Sequence, residues 1–162
     1  MKTLEASGIP QVEAFRRELA EGWRGIQHSY IVLLGLKVQD TGKLHARVEE
    51  GLSYAALERL QRVLDLPTSV VSELLRIPAR TLARRRAAKR LHADESDRLV
   101  RLARVVGLTL QLFEGDLSEA RSWLKTSQRV LGDRTPLEFA ASEIGTREVE
   151  NLIGRLEHGI PL

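Results

Sequence analysis

Residues 67–91 read PTSVVSELLRIPARTLARRRAAKRL, and the parsing of this stretch decides the fold. Thr68 or Ser69 can cap a short helix whose apolar positions are Val70, Val71, Leu74 and Leu75. Ile77-Pro78 then forces a break, because proline lacks an amide donor and pushes the residue before it out of helical geometry. A second helix begins near Ala79, with Ala79, Leu82 and Ala83 expected to face a core while Thr81, Arg84 and Arg85 project together at i, i+3 and i+4. Two short helices joined by a tight turn, the second carrying Arg80, Thr81, Arg84, Arg85 and Lys89, form a helix-turn-helix pattern. Its turn usually holds a glycine; here isoleucine and proline stand there instead.

The charge of this stretch sets it apart from the rest of the chain. It holds seven basic residues (Arg76, Arg80, Arg84, Arg85, Arg86, Lys89, Arg90) against one acidic residue, Glu73, a local charge of +6. The whole chain has 25 basic and 22 acidic residues and a net charge of +3, so everything outside the stretch sums to −3. A basic island in a slightly acidic protein has the electrostatic form of a nucleic-acid contact surface. Charge alone does not separate that reading from a solvated helix face. Arginine on the second helix adds chemistry, since its planar fork grips guanine edges and phosphates in two bonds where lysine offers a hydrated point charge.

Outward from this stretch the pattern is helical. The 162 residues include 27 leucines and 15 alanines but only 4% aromatic residues, a composition that favours helix over strand. Ser53 to Asp65 puts Ala56, Leu60, Val63 and Leu64 on one stripe with Leu57 beside it, and stops before Pro67. Asp94 to Phe113 carries a longer stripe of Leu99, Leu102, Ala103, Val106 and Leu110, with Asp94 expected as cap and Asp97 at the third helical position. Asp116 with Glu119, and Thr135-Pro136-Leu137-Glu138, read as capping boxes. Val149, Leu152, Ile153 and Leu156 mark a last helix that Gly159 ends. In the first fifty residues, Val12, Phe15, Arg16 and Leu19 suit a short amphipathic helix, while Tyr30 to Val38 fits either a β-branched strand or a buried helical turn. The fold class expected is all-α.

Several kinds of chemistry are excluded. There is no cysteine, hence no disulfide, thiolate metal site or cysteine nucleophile. His28, His45, His92 and His158 lack metal-ligand spacing, and Asp94-Glu95-Ser96-Asp97 reads as a helix start rather than a metal loop. No glycine-rich phosphate loop and no nucleophile elbow occurs, so neither catalysis nor a cofactor is expected. The longest aliphatic run is Ile31 to Leu34, far short of the ~20 residues that span a bilayer, and no signal-peptide stretch opens the chain. A soluble cytoplasmic protein is the expectation.

The residues also carry a family likeness. Leu75-Arg76-Ile77-Pro78-Ala79-Arg80-Thr81-Leu82-Ala83-Arg84-Arg85, then Arg90-Leu91 and Asp94-Glu95-Ser96-Asp97-Arg98-Leu99, resembles the Xre-type helix-turn-helix of the Xre/MbcA/ParS antitoxins. Ala120-Arg121-Ser122-Trp123-Leu124, Leu131-Gly132-Asp133-Arg134-Thr135-Pro136-Leu137-Glu138 and Glu157-His158-Gly159 resemble, in order, the motifs of that family's toxin-binding domain. Gly51-Leu52-Ser53-Tyr54 is similar to the family's GLPY-type turn. The likeness covers roughly residues 30 to 162. One departure is Asp133, which follows Gly132 where a second glycine is common; the other is a tail of only Ile160-Pro161-Leu162 after Gly159.

The resemblance implies a partly helical extension over 1–50, an Xre-like helix-turn-helix domain over 51–113 and a small helical toxin-binding domain over 114–162. It implies a non-enzymatic antitoxin, encoded beside a RES-domain toxin that consumes NAD or transfers ADP-ribose from it. It further implies blockage of the toxin's active site by the antitoxin's C-terminus, operator DNA as a second ligand for autorepression, and a homodimer within the toxin complex. The toxin-binding residues implied are Trp123, Leu137, Glu157, His158, Gly159, Ile160, Pro161 and Leu162. Read by itself, the apolar tail is suited to plug a concave site or to fold back on its own core. A stand-alone helix-turn-helix repressor without a toxin partner is the alternative function.

Overall fold

The computed structural model describes residues 8–21, 29–37 and 40–161; His28, Val38 and Leu162, which figure in the sequence reading, lie outside them. The described residues form nine α-helices and two 3-10 turns: α1 Pro10–Ala20, a turn over Ser29–Leu34, α2 Thr41–Glu50, α3 Tyr54–Leu64, α4 Thr68–Leu74, α5 Ala79–Ala88, α6 Ala93–Leu112, α7 Leu117–Lys125, a second turn Arg129–Leu131, α8 Pro136–Phe139 and α9 Glu143–Glu157. The fold is all-α. Within Tyr30 to Val38, the described part is a helical turn rather than a strand, and it buries Tyr30, Ile31, Leu33 and Leu34.

Helix α6 is the central post. It buries Leu99, Leu102, Ala103, Val105, Val106 and Leu110, and the first 3-10 turn, α2, α7 and α9 all pack on it. Gly107 lets the turn come close: a Cβ there would stand 2.7 Å from the Tyr30 Cβ. α6 and α9 run in the same direction, linked by Arg101 to Glu143 at 2.6 Å, Arg104 to Glu150, and Gln111 to Glu157 at 3.0 Å. α1 buries Val12 and Phe15 and is tied to the far end of α6 by Arg16, whose Nε donates to the Gly115 carbonyl at 2.9 Å.

Short helices leave many unpaired terminal carbonyls, and here basic side chains from other elements satisfy them. Arg98 donates to Leu75 at the end of α4 (2.7 Å). Arg121 donates to Val63 and Arg62 (2.7 and 2.8 Å), and Lys125 to Asp65 (3.1 Å), so that α7 caps the C-terminus of α3. Arg90 donates to Glu50 and Gly51 at the end of α2, and Arg59 to Leu34 at the end of the first 3-10 turn. Much of the basic charge of the chain is therefore internal architecture.

Caps differ from expectation in two places. α6 starts two residues early: His92 precedes its first helical residue, and the Glu95 carboxylate accepts the His92 N–H at 2.8 Å. Asp94 and Asp97 instead face Arg98 and Arg101 one turn on. α4 follows Pro67, so Thr68 is already helical and its hydroxyl accepts from Gln61 instead of capping. The other caps follow the sequence: Asp116 accepts from the Glu119 N–H at 3.0 Å, and Thr135 and Glu138 form a reciprocal box.

The loop after α5 is stitched to the loop before α3. The Leu91 N–H donates to the Leu52 carbonyl at 2.8 Å, the Tyr54 N–H to the Lys89 carbonyl at 3.1 Å, and the Leu52 N–H to the buried Ser96 hydroxyl at 2.8 Å. Gly51 makes this possible, with φ +85° and an ideal Cβ only 2.1 Å from the Leu91 carbonyl oxygen. Gly51→Ala is expected to destabilise the fold by about 2 kcal/mol or more, a fall of roughly 4–8 °C in Tm. Thermal melting by circular dichroism checks this, and an unchanged Tm contradicts the stitched-loop assignment.

Candidate nucleic-acid and partner interfaces

The turn between α4 and α5 is a helix-stop of the Schellman type. The Arg76 N–H donates to Glu73 at 3.1 Å and the Ile77 N–H to Ser72 at 3.0 Å, while the Ser72 hydroxyl returns a bond to the Ile77 carbonyl. Arg76, at φ +52°, occupies the left-handed position that glycine usually fills, one residue earlier than the Ile77-Pro78 pair to which the sequence reading assigned the break. Leu74, Leu75 and Ile77 are buried, so the turn is anchored from below. Pro78 then leads into α5, which Lys89 ends in a second left-handed conformation.

α5 presents a different face from the one expected. Leu82 is its one buried residue, whereas Ala79 and Ala83 are exposed beside Arg80 and Arg84. Thr81 is half-buried and accepts from Arg84 at 3.3 Å. Arg85 does not project with Arg84. Its side chain is only 15% exposed, and its Nε donates to both oxygens of the buried Glu95 at 3.0 and 2.7 Å. Its Nη2 lies 2.9 Å from His92 Nδ1, so Arg85 closes a three-residue cluster at the joint of α5 and α6. Arg86 stands 4.0 Å from Glu58, and Arg90 is spent on the end of α2. Arg76, Arg80, Arg84 and Lys89 are exposed, and none of the four has an ion-pair partner among the described residues, whereas Arg86, also exposed, faces Glu58.

Burial pushes the Glu95 carboxyl up, but the Arg85 guanidinium and the His92 N–H outweigh burial and hold it below the ordinary range. Arg85 rises correspondingly, chiefly through its hydrogen bond to Glu95.

A second surface forms at the C-terminal end. Leu137 is core, and Trp123 is half-buried with its ring 6.5 Å from that of Phe113. Arg134 lies over the Phe139 ring at 5.7 Å. Glu157 is exposed and bonded to Gln111; His158 is exposed. Gly159, at φ +64°, ends α9 as expected, with its N–H on Leu156 and the Ile160 N–H on Arg155. The described part of the tail does not fold back on the core: Ile160 is 51% exposed, and exposed Pro161 accepts from Arg155 through its carbonyl. Two further bared apolar side chains, Val130 and Ile144 (49% and 77% exposed), were missed from the sequence. Ile144 stands off the Val149–Leu156 stripe, and that is the signal available for it.

No cluster of three or more metal-binding side chains occurs among the described residues, and no described helix is long and apolar enough to cross a membrane.

Residues 43–104 match the profile of the antitoxin Xre-like helix-turn-helix domain, and residues 109–159 that of the antitoxin Xre/MbcA/ParS C-terminal toxin-binding domain. An antitoxin Xre of Yersinia enterocolitica is 34% identical over 128 residues, 78% of this chain and 86% of the relative. The chain belongs to the Xre family of antitoxins. Antitoxin Xre of Photorhabdus laumondii is 36% identical over 118 residues, covering 72% and 80% of the two chains. Antitoxin Xre of Pseudomonas putida is 29% identical over 121 residues, covering 74% of each. The two family domains meet inside α6, which passes between them without a break.

Because the Glu95 carboxyl is depressed in the folded state, its stabilisation is complete above the unfolded carboxyl value, about pH 4.3, and is lost as pH falls through the lower folded value. Arg85→Ala is expected to lower Tm by several degrees at pH 7, where Arg84→Ala leaves it unchanged. Glu95→Gln is expected to flatten the acid limb of the Tm–pH curve. Equal Tm values for the two arginine variants contradict the inward role of Arg85.

Proposed function

We propose that this chain is the antitoxin of a two-gene toxin–antitoxin module, binding and neutralising a RES-domain toxin that consumes NAD or transfers ADP-ribose, and repressing its own operon. One observation carries this reading. A single packed body joins a helix-turn-helix whose second helix shows an exposed arginine face to a toxin-binding-type domain whose last residues stand clear of the core. The antitoxin acts in the cytoplasm as a binder without catalysis of its own.

In this reading residues 51–113 carry the operator contacts. Arg80 and Arg84 are exposed on α5 with the exposed methyl groups of Ala79 and Ala83 beside them. Arginine suits guanine O6 and N7, and an alanine methyl suits the thymine methyl. Lys89 takes a phosphate, Thr81 orients Arg84, and Arg85 positions the helix from behind. A homodimer would set two such helices about 34–36 Å apart on successive major grooves, which a palindromic operator requires.

Residues 114–162 carry the toxin contacts in this reading. Glu157, His158, Gly159, Ile160, Pro161 and Leu162 form the segment that enters the toxin's active-site cleft. Trp123 and Leu137 act from the interior by shaping the helices that present it.

Three outcomes test the proposal. The product of the adjacent gene co-purifies with the chain on co-expression; separate elution favours a stand-alone repressor. Arg80→Ala with Arg84→Ala weakens operator binding by at least tenfold, on the basis of about 1–3 kcal/mol per bidentate base contact, while growth rescue from the toxin is retained. Deletion of Ile160–Leu162 abolishes rescue with Tm unchanged; full rescue by the truncated chain removes the tail from the inhibitory mechanism.

A further inference from the structure

We infer that Arg76, held in a left-handed backbone conformation at the helix-turn-helix turn, is a phosphate-contacting residue that brackets α5 together with Lys89. The inference rests on the operator-binding reading above and adds a contact to it. Five non-glycine residues have positive φ among the described residues: Asp65, Arg76, Lys89, Glu114 and Asp133. The two cations flank α5, Arg76 in the turn before it and Lys89 directly after it. The left-handed region is unfavourable for a side chain with a Cβ, and short aspartates tolerate it better than arginine does.

The fold gives no internal return for this conformation. Arg76 is exposed and makes no side-chain hydrogen bond or ion pair with any described residue; the helix stop itself uses only its backbone N–H. Every other bond of the turn comes from Ser72, Ile77 and Arg98, whose Nε holds the Leu75 carbonyl. Glycine would make the same turn without the steric cost. What glycine cannot supply is the guanidinium.

The placement suits a bracket. α5 has ten residues, so its ends lie about 15 Å apart at the usual helical rise, comparable with a major groove about 12 Å wide. A helix lying in that groove brings a cation at each end to the phosphates of the flanking strands. Both cations sit on rigid backbone, Arg76 through the turn bonds and Lys89 through its carbonyl on the Tyr54 N–H. The backbone is then already ordered when DNA binds, and only the side chains remain to be fixed.

The test uses the full chain and two fluorescein-labelled duplexes, one from the region upstream of its own gene and one of scrambled sequence. Affinity is measured by anisotropy across a salt series. Arg76→Gly and Arg76→Asn are expected to weaken binding of both duplexes roughly three- to tenfold and to reduce the log–log salt slope by about one. Tm is expected to stay level or rise, and Arg76→Lys to retain most of the affinity. Three results overturn the assignment. Parent-like binding by the glycine and asparagine variants, with Arg84→Ala weakened, removes Arg76 alone. A lowered Tm in both variants makes Arg76 structural. Failure of the parent chain to bind either duplex removes the operator reading and this contact with it.

Discussion

The ends of the helices set the terms of this structure. Most of the helices are short, and each terminus exposes carbonyls or amides that need partners when buried. The chain meets this requirement with long basic side chains reaching between elements. Arg98 reaches from α6 to the end of α4, Arg121 and Lys125 from α7 to the end of α3, and Arg90 from the α5–α6 loop to the end of α2. These bonds are also the ties between elements far apart in sequence. Part of the charge that looks like a surface property in the composition therefore works as joinery.

That use of arginine explains what was and was not legible in the sequence. Stripes of leucine and alanine announced α3, α6 and α9, because burial on one face leaves a helical period. The Thr135–Glu138 box was readable because both halves of the cap lie within one turn. α2 escaped notice since it buries only Leu44, and its start depends on one short bond from the Lys43 N–H to Asp40. The first 3-10 turn could not be told from a strand by its apolar residues alone.

The candidate site was half legible for the same reason. The helix-turn-helix and the outward Arg84 followed from spacing, whereas Arg80 was read as carried by the second helix without an assigned face. The inward turn of Arg85 did not, because its partner Glu95 is ten residues away and its acidity marks it as a surface residue until burial is known. Ala79 and Ala83 read as core because they are small and apolar; the structure leaves them at the surface, where their smallness admits close approach. In the C-terminal part, Trp123 and Leu137 carry family motifs yet serve the interior first.

α6 has a consequence for how such proteins can diverge. The helix-turn-helix match ends at Arg104 and the toxin-binding match begins at Thr109, within one uninterrupted helix whose Arg101, Arg104 and Gln111 all hold α9. A recombination event at the domain border would separate Arg101 and Arg104 from Glu143 and Glu150 on α9. A cross-over that keeps these ties has to carry α6 and α9 together, so the two halves are mechanically one unit although they present two different surfaces.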